Sequence, residues 1–446
     1  MTLKLQKKLN TFDLTMIMVS FVIGMGIFRT PSGVAAHSPN PLVFYAIWLA
    51  GGLVALCGAL TYAEIGSRMP VTGGYYRIFS LAYHPSLAFG VNGIILIANA
   101  ANLAAVALIG AEYLSGFWHI DTIPAKNFQL ILAIASILTF YFINLAGLRV
   151  SSRMQNVLSS VKILIILLLL IPLFFSVSSP EPVEQTNHSA ELIDYIKAFG
   201  LGLVAVSFTY GGYQQTINFG GEVQSPSKTI PRSIFFGIAL IVSLYMAINY
   251  AYMEVIGFQQ LKQTPNIAAT MASHVFGESA GQVLSVLLFL SVLGYVNGSL
   301  MNNPRVMQAM GEDKALPAAF AVRTGNRNVL LLALTVFTAL AIIVVFWAET
   351  FDRILSFSIF LDSLGMVLSA ATIFIFRKKA GKEHTTEVYR MKWYPMLPLI
   401  FILTYTFVAI SILIDTPTTA FTGLAILALF ILLYLFVIRP RTTKPI

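Results

Sequence analysis

The sequence predicts an all-α polytopic membrane protein with twelve transmembrane helices, two of them broken. Three observations predict it. Of 446 residues, 57% are hydrophobic and 11% are charged, where a soluble globular chain carries about 25% charge. Apolar runs long enough to span a bilayer, about 20 residues each, recur from end to end. Two of these runs are interrupted by paired glycines, Gly24 and Gly26 in the first and Gly211 and Gly212 in the sixth.

The runs cover 12–36, 41–66, 85–114, 128–147, 155–177, 195–219, 230–257, 279–301, 328–347, 352–376, 394–414 and 418–438. Short loops and a mean hydropathy of +0.79 leave no room for a large soluble domain. The chain 1–446 reads as one membrane domain. Segment one follows Lys4, Lys7 and Lys8, as a signal peptide would. Its apolar run is too long for an h-region and contains the Gly-x-Gly break, so cleavage is not expected.

Segment one reads Phe21-Val22-Ile23-Gly24-Met25-Gly26-Ile27-Phe28. Two glycines one residue apart weaken a helix, and a break at membrane depth must face protein or a wet cavity. A half-helix starting there presents bare N–H groups and the positive end of its dipole, for which a carboxylate is the natural guest. Segment six reads Ser207-Phe208-Thr209-Tyr210-Gly211-Gly212-Tyr213-Gln214, with its Gly pair in mid-span. If 12–177 and 195–376 are two five-helix units, with 394–438 outside them, segments one and six occupy matching places. An odd number of helices per unit inverts the second relative to the first. Paired interruptions at matching places point to a transporter's binding site.

The formal charge is +9, but the basic residues are spread over short loops, which favours a membrane over a nucleic acid as partner. With both termini placed in the cytoplasm, 23 of the 28 Lys and Arg fall in inner segments and 4 in outer ones, with Arg29 inside segment one unassigned. That bias fixes the orientation. The single cysteine, Cys57, excludes an intrachain disulfide and a cysteine-based metal site.

Four stretches resemble the amino acid–polyamine–organocation superfamily. Gly24-Met25-Gly26-Ile27-Phe28 resembles its Gly-x-Gly-Ile-Phe signature. Tyr62-Ala63-Glu64 and Met69-Pro70-Val71-Thr72-Gly73-Gly74-Tyr75 resemble the end of helix two and the following inner loop. Phe208 to Tyr213, Gly220-Gly221-Glu222-Val223-Gln224-Ser225-Pro226 and Ile230-Pro231-Arg232 resemble helix six and its exit. Asn297-Gly298, Pro304-Arg305, Met310-Gly311-Glu312-Asp313 and Leu316-Pro317 resemble helix eight and its loop. The helix-six stretch looks most like the L-type amino acid transporters and their bacterial relatives.

The resemblance implies the LeuT-type 5+5 inverted repeat with broken helices 1 and 6, and helices eleven and twelve outside it. It also implies secondary active transport of amino acids across the cell membrane by alternating access. Sodium-independent exchange is the expected mode and proton symport the alternative. Gly211 and Tyr213 stand where many L-type members have an acidic residue and a Trp, so the side-chain preference does not carry over. The loop 115–127 has no cysteine, so no disulfide-linked heavy chain is expected.

The candidate substrate site is Val22, Ile23, Gly24, Met25, Gly26 and Ile27 with Phe208, Thr209, Tyr210, Gly211 and Gly212. The carboxylate is expected on the N–H groups of Met25, Gly26 and Ile27. The ammonium is expected on the carbonyls of Val22, Ile23, Phe208 and Tyr210. The competing explanation of the glycines is close helix packing. Enlarging Gly26 to Val is expected to abolish uptake without loss of folded protein. Tyr210 and Tyr213 are either gates or core residues, and Phe208 is the gate that the family position favours.

Lys162 interrupts an otherwise clean span. It reads as a fixed cation tying helix five to helices one and eight, as a titrating group, or as a snorkelling side chain. The resemblance favours the first, since related sodium-independent transporters carry a lysine where sodium-coupled ones bind a cation. Glu64 and Glu222 are expected either to pair with Arg68, Arg77, Lys228 or Arg232 at an inner closure or to be solvated at the interface, rather than to touch substrate. Asn99, Asn102 and Asn297 either line the pocket or make interhelical hydrogen bonds, and the second is the expected role. No carboxylate lies mid-span in segments three, six or eight, so a neutral side chain is expected, with Asp362 in segment ten unexplained.

A membrane enzyme would need acid, base or metal groups near the surface. The histidines, His37, His84, His119, His188, His274 and His384, show no ligand spacing. A channel would show a charged ring or a filter repeat. Neither is present, and no cofactor or metal is expected.

Overall fold

A computed structural model describes residues 9–24, 26–115, 123–174, 192–264, 267–347, 351–379 and 388–438. Among them there is no strand. Helix α1 (Thr11–Val22) starts from a capping box. The Asn10 side chain accepts the Asp13 N–H at 2.9 Å, and the Asp13 carboxylate accepts the Asn10 N–H at 3.2 Å. The chain then leaves the helix through Ile23 and Gly24. It resumes as α2 (Gly26–His37) along an axis turned by 41°. Helix α3 (Pro41–Arg68) is capped by Asn40, with proline in the first turn where its missing N–H costs nothing.

The remaining elements are α4 (Gly74–Ala82), α5 (Pro85–Ser115), α6 (Ala125–Leu145), α7 (Leu148–Leu170), α8 (Leu192–Tyr210), α9 (Pro226–Ile256), α10 (Phe258–Leu261), α11 (Ile267–Phe276), α12 (Glu278–Glu312), α13 (Leu331–Trp347), α14 (Phe351–Lys379), α15 (Met396–Asp415) and α16 (Pro417–Leu433). A 3-10 stretch, Tyr213–Asn218, continues α8 past its glycine pair. Among the described residues, ten helices are long and apolar enough to cross a membrane. The bent pair α1/α2 adds one more, and the shorter apolar helix Leu331–Phe346 falls on the ninth expected span. This is a multi-pass membrane protein, and each of the twelve expected segments falls on a helix or helix pair.

Two expected loops contain helices, α4 and α11. Segment eight, expected to end at 301, runs to Glu312 as α12. The polar residues that lower its hydropathy are buried and satisfied there. Asn302 donates to Gln215 at 2.7 Å, Asn303 to the Ser299 carbonyl at 2.9 Å and Arg305 to Glu222 at 2.6 Å. Pro304 removes one N–H within the helix, and the helix carries on past it.

The helices sort into two packed groups. One holds α1, α2, α3, α8 and α9, and the other α5, α6, α12 and α13. Helix α7 bridges them by packing on both α1 and α12, and α14 lies against α5 and α15. Helix α16 packs on α5 but is mostly exposed, as suits a helix facing lipid.

The end of the bundle that carries residue 9 is closed by backbone pairing and charge. Leu9 N–H donates to Glu222 O at 3.1 Å, and Gln224 N–H to Leu9 O at 2.9 Å. Gly73 N–H donates to Asn218 O at 2.9 Å. Gly73 has φ +66°, and a Cβ there would run into the Arg305 carbonyl. Only glycine fits that turn.

Candidate functional site

The two breaks meet. A Cβ built on Gly26 would lie 2.9 Å from Thr209 Oγ1, and one on Gly212 would lie 2.8 Å from Phe21 O. Each interruption therefore sits against the chain that enters the other. Gly212 has φ +112°, a conformation that glycine adopts freely. Gly24 differs, with open space beyond its Cα. It faces a cavity of ≈ 110 Å³.

Seven of the expected substrate residues line that cavity: Val22, Gly24, Gly26, Phe208, Thr209, Gly211 and Gly212. Ile23 and Ile27 are buried in the core and do not line it. Met25 lies outside the described residues. Helix α2 begins at Gly26, so its first-turn N–H groups have no intrahelical acceptor, and Gly26 brings the positive end of the helix dipole to the cavity wall. The Val22 carbonyl is already engaged, by the Tyr245 hydroxyl at 2.8 Å and the Gly24 N–H at 2.8 Å. The Phe208 carbonyl accepts from the Gly211 N–H at 3.1 Å.

Tyr210 and Tyr213 are both buried and do not line this cavity. Tyr210 packs on Trp48 and Tyr245, with ring centroids 6.0 and 5.1 Å away. Tyr213 packs edge-on against Tyr62 at 6.0 Å. Both hold α8 and its continuation in the core. Phe208 is the aromatic at the cavity wall.

The rest of the wall comes from residues that sequence reasoning assigned elsewhere or passed over. Asn99 and Asn102 of α5 line it, and Asn99 also donates to Asn303 at 2.7 Å. Gln214, Gln215, Tyr295, Tyr405 and Asp362 line it too. Asp362 had a signal, a carboxylate in the middle of an apolar span, and Asn99 and Asn102 had one as amides within segment three. Gln214, Gln215, Tyr295 and Tyr405 carried none, because the facing of a helix residue is set by packing. Asn297 takes no part in the wall. It accepts from Asn144 at 3.0 Å and donates to Gln155 at 2.5 Å, joining α6, α7 and α12.

Lys162 is fully buried, so it does not snorkel. Its Nζ donates to Ser20 O at 2.8 Å. A Cβ on Gly294 of α12 would lie 3.2 Å from Nζ. The ammonium thus sits where α1, α7 and α12 converge. Ser159, one turn earlier, donates to Met16 O at 2.8 Å.

Glu64 and Glu222 are both buried in ion pairs. Glu64 bonds Arg68 at 2.6 Å and Arg377 at 2.6 Å, and accepts the Met391 N–H at 2.9 Å. Glu222 bonds Arg305 at 2.6 Å and Arg323 at 2.9 Å. Lys228 and Arg232, its neighbours in sequence, are exposed. Arg77 pairs with Glu312 at 2.5 Å and also with Asp313. Expectation and structure agree for Glu64 with Arg68. They differ for Glu222, because α12 and the segment after it bring two arginines from some 80 to 100 residues away.

A helical membrane bundle with two interrupted spans meeting at a polar cavity defines a secondary transporter. The chain belongs to the amino acid permease family, whose model matches residues 9–438, and it is a carrier rather than an enzyme. It is similar to the serine/threonine exchanger SteT of Bacillus subtilis, 27% identical over 95% of this chain and 94% of that one. It is also similar to the large neutral amino acids transporter small subunit 2 of Oryctolagus cuniculus, 26% identical over 95% and 79% of the two chains. The Asc-type amino acid transporter 1 of Mus musculus is 24% identical over 95% and 79%.

Proposed function

We propose that this chain exchanges neutral L-amino acids across the cell membrane without sodium, with both termini in the cytoplasm. The observation that carries the reading is the start of α2 at the wall of the cavity, opposite Phe208 and Thr209. The substrate carboxylate rests on the N–H of Gly26 at the cavity wall, where the dipole end favours an anion. The ammonium rests on the Phe208 carbonyl at the cavity wall, because the Val22 carbonyl is engaged by both Tyr245 and Gly24. Phe208 covers the side chain.

Lys162 is a fixed cation. Its Nζ already occupies the Ser20 carbonyl between α1, α7 and α12, which removes the need for a metal ion there. The group α1, α2, α3, α8 and α9 rocks against the rest, and the Glu64 and Glu222 ion pairs hold the cytoplasmic side shut between cycles. Cys57 is buried in α3, which supports a carrier that needs no disulfide-linked subunit.

Purified protein in proteoliposomes tests this. Radiolabelled L-serine and L-leucine are offered with and without internal unlabelled amino acid, in sodium and in choline. Exchange predicts uptake that requires internal substrate and is equal in the two salts. Uptake into empty vesicles overturns exchange, and uptake only in sodium overturns the fixed-cation role. The absence of uptake across a panel of amino acids overturns the site.

A further inference from the structure

Helix α14 presents Ile359, Asp362 and Ser363 to the cavity. Among the described residues, none donates a hydrogen bond to Asp362 or pairs with it. The elements packed against α14 are α3, α4, α5, α15 and α16. The ionisable groups that feel Asp362 are all tyrosines: Tyr62 of α3, Tyr75 of α4, Tyr213 after α8, Tyr295 of α12 and Tyr405 of α15. Helix α16 has no ionisable residue, and the part of α5 beside this turn of α14 is Val91 and Ile95. The charged residues Glu64, Arg68, Arg77 and Arg377 of these elements are committed to ion pairs of their own. Lys162 does not line the cavity and is committed to Ser20.

The cavity thus contains one carboxylate and, among the described residues, no cation. An amino acid backbone brings one negative and one positive charge, which cancel. When the cavity closes over a neutral amino acid, an ionised Asp362 would be left buried without a partner, a costly arrangement. The balance closes if one more positive charge enters. We propose that Asp362 makes this carrier take up one positive charge with each amino acid. With a neutral side chain the charge is a proton from solvent, bound to the Asp362 carboxyl and returned on release. With a basic side chain it is the side-chain ammonium itself, paired with the carboxylate. This rests on the amino acid reading of the cavity and widens its cargo from neutral to basic side chains.

The sign follows. Binding of a neutral amino acid weakens as pH rises, because it needs the protonated carboxyl, and binding of a basic one does not. The test is equilibrium binding of radiolabelled L-serine and L-lysine to the purified protein, as wild type, Asp362→Asn and Asp362→Glu. Size-exclusion profiles confirm that each is folded. For the wild type, serine affinity is expected to fall at least about tenfold between about pH 5 and about pH 8, while lysine binds at about pH 8. Asp362→Asn is expected to bind serine equally at both pH values and to lose lysine. Asp362→Glu is expected to keep both behaviours. The proposal is overturned if wild-type serine binding does not change with pH. It is equally overturned if Asp362→Asn keeps the pH dependence, or if the wild type does not bind lysine. A wild type that binds neither probe, nor any other amino acid, overturns the amino acid reading and the proposal with it.

Discussion

Gly26 packs directly against Thr209 where the two helix breaks meet. A Cβ on Gly26 would come within 2.9 Å of Thr209 Oγ1, 3.1 Å of its Cγ2 and 3.2 Å of its Cα. The Thr209 side chain is itself anchored to the Ala205 carbonyl at 2.9 Å, so it cannot simply swing away. Enlarging Gly26 therefore forces the breaks apart. Gly26→Ala is expected to lower the thermal midpoint in detergent, by an amount equivalent to about 1–3 kcal/mol, together with transport. Gly26→Val should cost more, so the expectation of a folded but inactive Gly26→Val protein is revised. Thr209→Ala in the Gly26→Ala background should restore part of the midpoint. No recovery would mean that the clash lies elsewhere.

Gly24 is the better probe of the cavity. Nothing lies within 4 Å of a Cβ placed there, so Gly24→Ala is expected to leave the thermal midpoint unchanged. Its methyl would project into a cavity of ≈ 110 Å³. The Michaelis constant for leucine should then rise about tenfold and that for serine much less, the usual effect of one carbon in a closed pocket. Equal effects on the two substrates would place the methyl against the backbone-binding part of the site.

Lys162 and Gly294 form a second tight pair. A Cβ on Gly294 would lie 2.8 Å from Lys162 Cε and 2.9 Å from Ser20 Oγ. Gly294→Ala should displace the ammonium from the Ser20 carbonyl. Lys162→Met removes the same charge-assisted hydrogen bond, worth about 1.5–3 kcal/mol. Both are expected to lower exchange at least about tenfold, read as initial rates in proteoliposomes with folded protein confirmed by size exclusion. Normal exchange by Lys162→Met would exclude the lysine from the mechanism.

The breaks were legible in the sequence because glycine declares backbone freedom wherever it sits. Gly24, Gly26, Gly211 and Gly212 needed no partner to be noticed. Lys162 and Asp362 stood out as charges in apolar spans. What stayed hidden was direction and distance. Tyr210 and Tyr213 flank the second break in sequence, yet they turn into an aromatic core built with Trp48, Tyr245 and Tyr62. Gln214 and Gln215 beside them turn to the cavity. Glu222 has Lys228 and Arg232 close by in sequence and pairs with neither. The end of α12 was missed because hydropathy counts Asn302, Asn303 and Arg305 as surface, whereas the packed helices satisfy them inside.

The Glu222 pairs yield a prediction with a pH sign. Burial alone would raise the Glu222 carboxyl, but Arg305 and Arg323 outweigh it and hold the group below the ordinary carboxylate range. A carboxyl depressed in the folded state contributes stability above its unfolded pKa, about 4.3. That contribution is lost as pH falls through the lower folded value. Glu222→Gln leaves two arginines at the closed end without their counter-charge. Removing one partner of a buried pair costs about 3–5 kcal/mol, so the thermal midpoint of Glu222→Gln is expected well below wild type from about pH 8 to about pH 5. The two should converge only in stronger acid. The carboxylate also ties the chain after α8 to α12, so its loss should favour opening at this end. Proteolysis at sites engineered there would report that as faster cleavage than in wild type. The double variant Glu222→Gln with Arg323→Gln should lose less than the sum of the single changes, because the two side chains share one interaction. An additive double variant would show that Arg323 finds its stability elsewhere, and that Glu222 closes this end through Arg305 alone.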